Sequence, residues 1–175
     1  MRLEWRSFLL RPRPGSIRDL EKFRAYTKSW QRPAAEPDSG TFRVWQGDAG
    51  PPSHSIPPHL VAKAAAQLGE EAFRRMHTRL LEAYFAENRD VTDSATLRAL
   101  WREVELPEAE FERSEDPAVL REVLAQHEQA REAGATGVPA MQLLGNDAVI
   151  VGAHPLELYQ RWFDKTRARL AAEGA

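Results

Sequence analysis

A chain of 175 residues, 42% hydrophobic and 29% charged, has the composition of a soluble globular protein and the length for one domain, or for a small domain carrying an insertion. Its net charge of -2 excludes electrostatic capture of nucleic acid or of an anionic membrane surface. With no cysteine anywhere, it offers no disulfide, no thiolate nucleophile and no cysteine-ligated metal, and no apolar run is long enough to span a bilayer.

Residues 2–10 alternate apolar and polar through Leu3, Trp5 and Phe8, which is a strand pattern that starts with no lead-in. Glu4 and Arg6 break the apolar character, so this start is no signal peptide and the cytoplasm is the expected location. Arg11-Pro12-Arg13-Pro14-Gly15 ends the strand. Ser16, with Asp19 three residues on, predicts the cap of an amphipathic helix carrying Ile17, Leu20, Phe23, Tyr26 and Trp30, which stops before Pro33. Residues 32–58 form a long proline-rich loop, extended at Phe42-Arg43-Val44-Trp45.

Helix then follows helix. Ser55 or Pro57-Pro58 opens one with Leu60, Val61, Ala64 and Leu68, ending on Gly69 as C-cap. The next covers about 70–88, with Phe73, Met76, Leu80, Leu81, Tyr84 and Phe85 on its apolar face. Thr92 or Asp93 caps a fourth, with Leu97, Leu100, Trp101 and Val104 inward. A short fifth surrounds Phe111, and Asp116-Pro117 starts a sixth with Leu120, Val123, Leu124 and His127, ending at Gly134.

The pivot of the chain is Gly134-Ala135-Thr136-Gly137-Val138-Pro139-Ala140. Taken alone it reads as an ordinary turn between helix and strand. After it, Met141-Gln142-Leu143-Leu144 and Ala148-Val149-Ile150-Val151 flank Gly145-Asn146-Asp147 as a hairpin. The last helix presents Leu156, Tyr159, Trp162 and Phe163, and the tail from Arg167 is expected to fray.

Several of these segments carry a likeness. Glu4-Trp5-Arg6-Ser7-Phe8-Leu9-Leu10, His59-Leu60-Val61-Ala62-Lys63-Ala64-Ala65, Leu81 to Val91, the Thr136-Gly137-Val138-Pro139 loop and Val151-Gly152-Ala153-His154-Pro155 occur in order along almost the whole chain. Together they resemble the DsbA-like branch of the thioredoxin superfamily, especially the FrnE-type dithiol-disulfide isomerases and their relatives the 2-hydroxychromene-2-carboxylate isomerases. The resemblance implies an α/β, thioredoxin-like fold of DsbA type. Residues 1–15 and 135–175 would form its thioredoxin-like part, and 16–134 a large helical insertion.

The departure from the family is at the start. Family members begin with a strand and a helix bearing Cys-x-x-Cys, or Ser in isomerase-like and glutathione-linked relatives. This sequence begins where their second strand begins, so the N-terminal strand and first helix are absent. Without that strand, residues 3–10 and 141–144 lack a shared neighbour and leave unpaired backbone groups. Three arrangements meet this: a shortened start, which is the expectation, a partner chain in a dimer that supplies the strand, or a rearranged sheet.

The resemblance also implies roles. Val138 would offer its backbone N–H and C=O to an extended, thiol-containing peptide or small-molecule substrate, across a cis bond to Pro139. Thr136 and Gly137 complete that substrate-binding loop, and Trp45 and His54 would lie in a region that approaches the groove. The implied activity is that of a thiol-disulfide oxidoreductase or isomerase, inactive in redox chemistry because exchange needs a thiolate. The alternatives are an isomerase or glutathione-transferase-like enzyme of the same fold, or a non-catalytic peptide-binding module. No cofactor is implied. No histidine pair has HExxH spacing and no Gly-x-Ser-x-Gly elbow occurs, so neither a metal site nor a Ser-His-Asp triad is expected.

Overall fold

The computed structural model describes residues 3–15, 19–37, 39–48 and 51–173. The chain divides into a helical unit, Arg11–Val123, and a sheet unit made of Met1–Leu10 with Leu124–Ala175. The second boundary of these units, after Val123, falls inside a helix, for a reason that lies in that helix's side chains.

In the helical unit, α1 (Leu20–Thr27) is capped by Asp19, whose carboxylate accepts from the N–H groups of Glu21 at 3.0 Å and Lys22 at 3.1 Å. The expected cap, Ser16, lies outside the described residues. The helix tightens to a 3-10 turn at Lys28–Trp30 and resumes as α2 (Gln31–Ala34). It thus runs through Pro33 instead of stopping before it. Proline in a first helical turn sacrifices only an N–H that has no intrahelical acceptor.

Then come α3 (Ile56–Ala66), α4 (Glu70–Phe85), α5 (Ser94–Glu103), a 3-10 segment in place of the fifth helix (Glu108–Glu115), and α6 (Pro117–Glu132). Gly69 does not close α3, whose C-cap is Gln67; it precedes α4 with φ at +120°. Ala64 and Ala65, fully buried, give α3 a small face that lets neighbouring helices approach. Met76, Leu80 and Ala83 of α4, Leu97, Leu100 and Trp101 of α5, and Phe111 complete that core. Leu81, expected on the apolar face of α4, is instead 46% exposed.

Rings make a second core. Phe23, Trp30 and Trp45 pack with Tyr84 and Phe85, with centroid separations such as 5.2 Å for Phe23–Trp45 and 4.9 Å for Trp30–Phe85. The extended segment at residues 42–45 forms no strand. Its amides go elsewhere: Arg43 to the Phe85 carbonyl at 2.8 Å, and Trp45 to the Thr27 hydroxyl at 2.9 Å. That hydroxyl is wholly buried and donates to the Arg24 carbonyl at 2.9 Å.

Charge fixes the rim. Arg79, half-buried, bonds Glu103 and Glu87 at 2.7 Å each, and Arg89 reaches Glu103 at 2.8 Å. Glu108 accepts from both Arg98 and Arg102 at 2.8 Å. Those hydrogen bonds, first from Arg102 and then from Arg98, pull its carboxyl from the ordinary 4.5 down to about 2.

Among the described residues, the sheet unit holds one antiparallel pair, β1 (Ala140–Gln142) and β2 (Val149–Val151), in the register Ala140↔Val151, Met141↔Ile150, Gln142↔Val149. Residues 3–10 form no strand, although the alternating pattern predicts one. Side chains of α6 take the place of a neighbouring strand. The Ser7 N–H donates to Gln126 Oε1 at 2.9 Å and the Leu9 N–H to His127 Nδ1 at 3.1 Å. Those two acceptors explain why the second half of α6 belongs with the N-terminal segment. Leu124 of α6 is 42% exposed.

The last helix, α7 (Leu156–Glu173), does not fray from Arg167. Thr166 accepts from Asn146 Nδ2 at 2.7 Å, the Arg169 guanidinium donates to the Gly145 carbonyl, and Leu170 lies against the same turn. Gly145 has φ at +79°, and a Cβ there would stand 2.9 Å from Leu170 Cδ2, so the turn needs glycine twice over.

Replacing Thr27 by Val keeps the shape but strands the buried Trp45 N–H. The expected cost is about 1–3 kcal/mol, read from the urea midpoint, with Thr27→Ser close to wild type. The low carboxyl value of Glu108 predicts a pH signature. Its folded value is depressed, so its contribution is complete above about 4.5 and is lost as pH falls toward 2. The stability gap between wild type and Glu108→Gln should therefore close over that window in acid-titrated urea unfolding. A gap that persists at pH 2 would contradict the assignment.

Candidate functional site

The loop begins where α6 ends. Gly134 takes φ at +99°, and the Ala135 N–H returns to the Ala130 carbonyl at 2.9 Å. Ala135 is buried, so the loop is anchored at its base while Thr136, Val138 and Pro139 stand exposed. Gly137 is half-buried, and a Cβ there would sit 3.9 Å from Val151 Cγ1. Val138 is 48% exposed, and its peptide bond to Pro139 is cis.

A single hydrogen bond sets the orientation of the strand that follows. The Gly152 N–H donates to the Pro139 carbonyl at 2.8 Å. The return bond cannot form, because proline has no N–H to give. The Gly152 carbonyl instead accepts from the Tyr159 hydroxyl of α7 at 2.8 Å. A hydroxyl thus supplies the donor that the proline lacks. Gly152 itself has φ at +95°, a conformation that favours glycine.

The four loop residues Thr136, Gly137, Val138 and Pro139 come together in the sheet unit, whereas Trp45 and His54 belong to the helical unit. Trp45 is 1% exposed and serves the ring core there, so it presents no surface to a ligand. A tryptophan whose own amide is bonded to a buried threonine is a packing residue. The half-buried His54 ring lies 2.8 Å from Ser53 Oγ, and the Ser53 N–H donates to Thr92 Oγ1 at 3.3 Å. This arrangement ties the loop before α3 to the turn before α5.

Sequence reasoning passed over Gly152 and Tyr159. The available signal was a tyrosine on an otherwise apolar helix face, since a partly buried phenol needs a partner for its hydroxyl. Among the described residues, no three acidic or imidazole side chains gather as metal ligands, and no helix is long and apolar enough to cross a membrane.

Comparison with known proteins follows this geometry. The sequence profile of the DSBA-like thioredoxin domain matches residues 51–163. Among solved structures, the cytosolic disulfide reductase DsbM from Pseudomonas aeruginosa is similar, with TM-score 0.61 and 20% identity over 91% of this chain and 80% of that one. The same protein with GSH gives TM-score 0.50 and 22% identity over 72% and 61%. A candidate protein disulfide isomerase from Nitrosomonas europaea gives TM-score 0.54 and 19% identity over 65% of this chain. The match spans 58% of that protein's length. At these identities the likeness concerns the fold. A comparison with curated proteins gives no match.

His127 tests how the N-terminal segment is held. His127→Phe keeps a ring against Phe8, 5.1 Å away in the wild type, but removes the acceptor of the Leu9 N–H. The expected loss is about 1–3 kcal/mol, together with faster exchange of the Leu9 amide. Unchanged exchange at Leu9 would show that the ring nitrogen does not hold it.

Proposed function

Because the chain belongs to the DSBA-like thioredoxin domain family, we propose that Thr136, Gly137, Val138 and Pro139 are the substrate-holding half of a thiol–disulfide exchange site. The ligand is an extended segment bearing a thiol or disulfide, aligned by the N–H and C=O of Val138. In exchange, a thiolate attacks one sulfur of a disulfide and the other sulfur leaves as thiolate. These 175 residues contain no cysteine, so every sulfur in that step belongs to other molecules or segments. The chain binds and orients; it does not transfer the electron pair.

One observation carries this reading. Val138 is exposed at 48% beside a carbonyl locked by Gly152, and no bond to its own backbone groups occurs among the described residues. Within the family we assign the chain to the FrnE-type dithiol-disulfide isomerase group, on the segment from Leu81 to Val91 and the Val151-Gly152-Ala153-His154-Pro155 turn. We also assign it to the cytoplasm, a reading supported by the neighbour described as cytosolic.

The test is binding without turnover. The chain alone should give no insulin reduction above the dithiothreitol background. A fluorescent peptide with one cysteine should bind it, and Val138→Glu should weaken that binding about tenfold by setting an unpaired carboxylate against the peptide. Insulin reduction by the chain alone, or equal binding by the variant, would overturn the proposal.

A further inference from the structure

Three contacts meet around Gly152. Its N–H donates to the Pro139 carbonyl at 2.8 Å, and its carbonyl accepts from the Tyr159 hydroxyl at 2.8 Å. The Val151 carbonyl, which shares a peptide plane with the Gly152 N–H, lies 3.1 Å from His154 Nε2. A carbonyl only accepts, so Nε2 carries the proton of that contact. The His154 ring stands edge-on to Tyr159, with centroids 6.2 Å apart. Tyr159 is half-buried in the first turn of α7, a helix of 18 residues, so the hydroxyl is presented from a rigid element.

Gly152 needs such support. With φ at +95° and no side chain, its backbone is free to turn, and its N–H turns with it. What that N–H holds matters for the loop. The ring of Pro139 locks φ, and the peptide bond before it is planar. One soft torsion therefore separates the Pro139 carbonyl from the Val138 carbonyl. Fixing the first goes far toward fixing the second, while the buried Ala135 anchors the other end of the loop.

We propose that Tyr159 is a positioning residue for the ligand-holding loop. Acting through Gly152, it keeps the Pro139 carbonyl, and so the Val138 carbonyl, in the orientation that receives the ligand. His154 is the second support. Neither side chain touches the ligand. The proposal rests on the substrate-holding reading of residues 136–139 and adds what controls it: affinity depends on a phenol hydroxyl from a different element. If the loop without that hydroxyl keeps its orientation about a fifth of the time, apparent affinity falls about fivefold, the scale of one hydrogen bond.

Stopped-flow binding of the fluorescent one-cysteine peptide to the full chain tests this. Tyr159→Phe should lower the association rate about fivefold and leave the dissociation rate unchanged, because the loop makes the same contacts once the ligand is bound. His154→Ala should lower association about twofold, and His154→Gln, which keeps an N–H donor, should match wild type. Without peptide, the Gly152 amide should exchange faster in Tyr159→Phe, as followed by NMR. Thr27→Val, which destabilises the helical unit, should leave both rates alone, so that a general loss of stability does not imitate the effect. Faster dissociation from Tyr159→Phe would mean that Tyr159 meets the ligand itself. Unchanged association beside a loosened Gly152 would mean that the bond serves stability alone. Either result, or an unchanged Gly152 amide, would overturn this proposal and leave the loop reading standing. No binding by the wild type would overturn both. Should Tyr159→Phe misfold, the His154 variants decide, and equal association by His154→Ala then overturns the proposal.

Discussion

Every buried backbone N–H must find an acceptor, and in this chain side chains meet that requirement where a regular ladder does not. The Thr27 hydroxyl receives the Trp45 amide, Gln126 receives Ser7, and His127 receives Leu9. Each donor lies in an extended segment that has no strand beside it. Such bonds let these segments stay ordered as coil, and they determine which part of the chain each segment belongs to. The split of α6 between the two units is one result: its first half contributes Val119 and Val123 to buried positions, and its second half contributes acceptors.

The same requirement shapes the candidate site. Proline at 139 removes a donor at the mouth of the hairpin, and Tyr159 replaces it from a different element. Loop, hairpin and α7 are thereby linked at one point, the Gly152 peptide. The loop is thus anchored at its base and exposed at its tip, and a preorganised backbone loses little freedom on binding.

Much of the helical unit was legible because its signals are local. Asp93 and Asp116 act as the capping residues their positions suggest, with bonds of 2.8 Å to the Thr96 N–H and 2.7 Å to the Ala118 N–H. The period of Met76 and Leu80, and of Leu97, Leu100 and Trp101, matches the buried face. The misreadings arose where the deciding partner is remote in sequence. Residues 3–10 alternate like a strand, but a strand exists only beside another, and here the acceptors are side chains some 118 residues away. Trp45 looked available in a proline-rich loop, and Thr27 with the surrounding rings buried it. The loop at 136–139 was visible from its glycine and proline, whereas its dependence on Tyr159 was not, since an aromatic period reports burial and is silent about a hydroxyl.

The turn at Gly145 is held from the far end of the chain. Thr166, Arg169 and Leu170 all close on residues 145–146. During synthesis the hairpin leaves the ribosome before these contacts exist, because the last turns of α7 are made after it. The turn beside the strand pair is therefore fastened only once α7 has been made. A chain trimmed before Thr166 keeps residues 136–139 but loses the contacts that fasten the turn at Gly145 and Asn146.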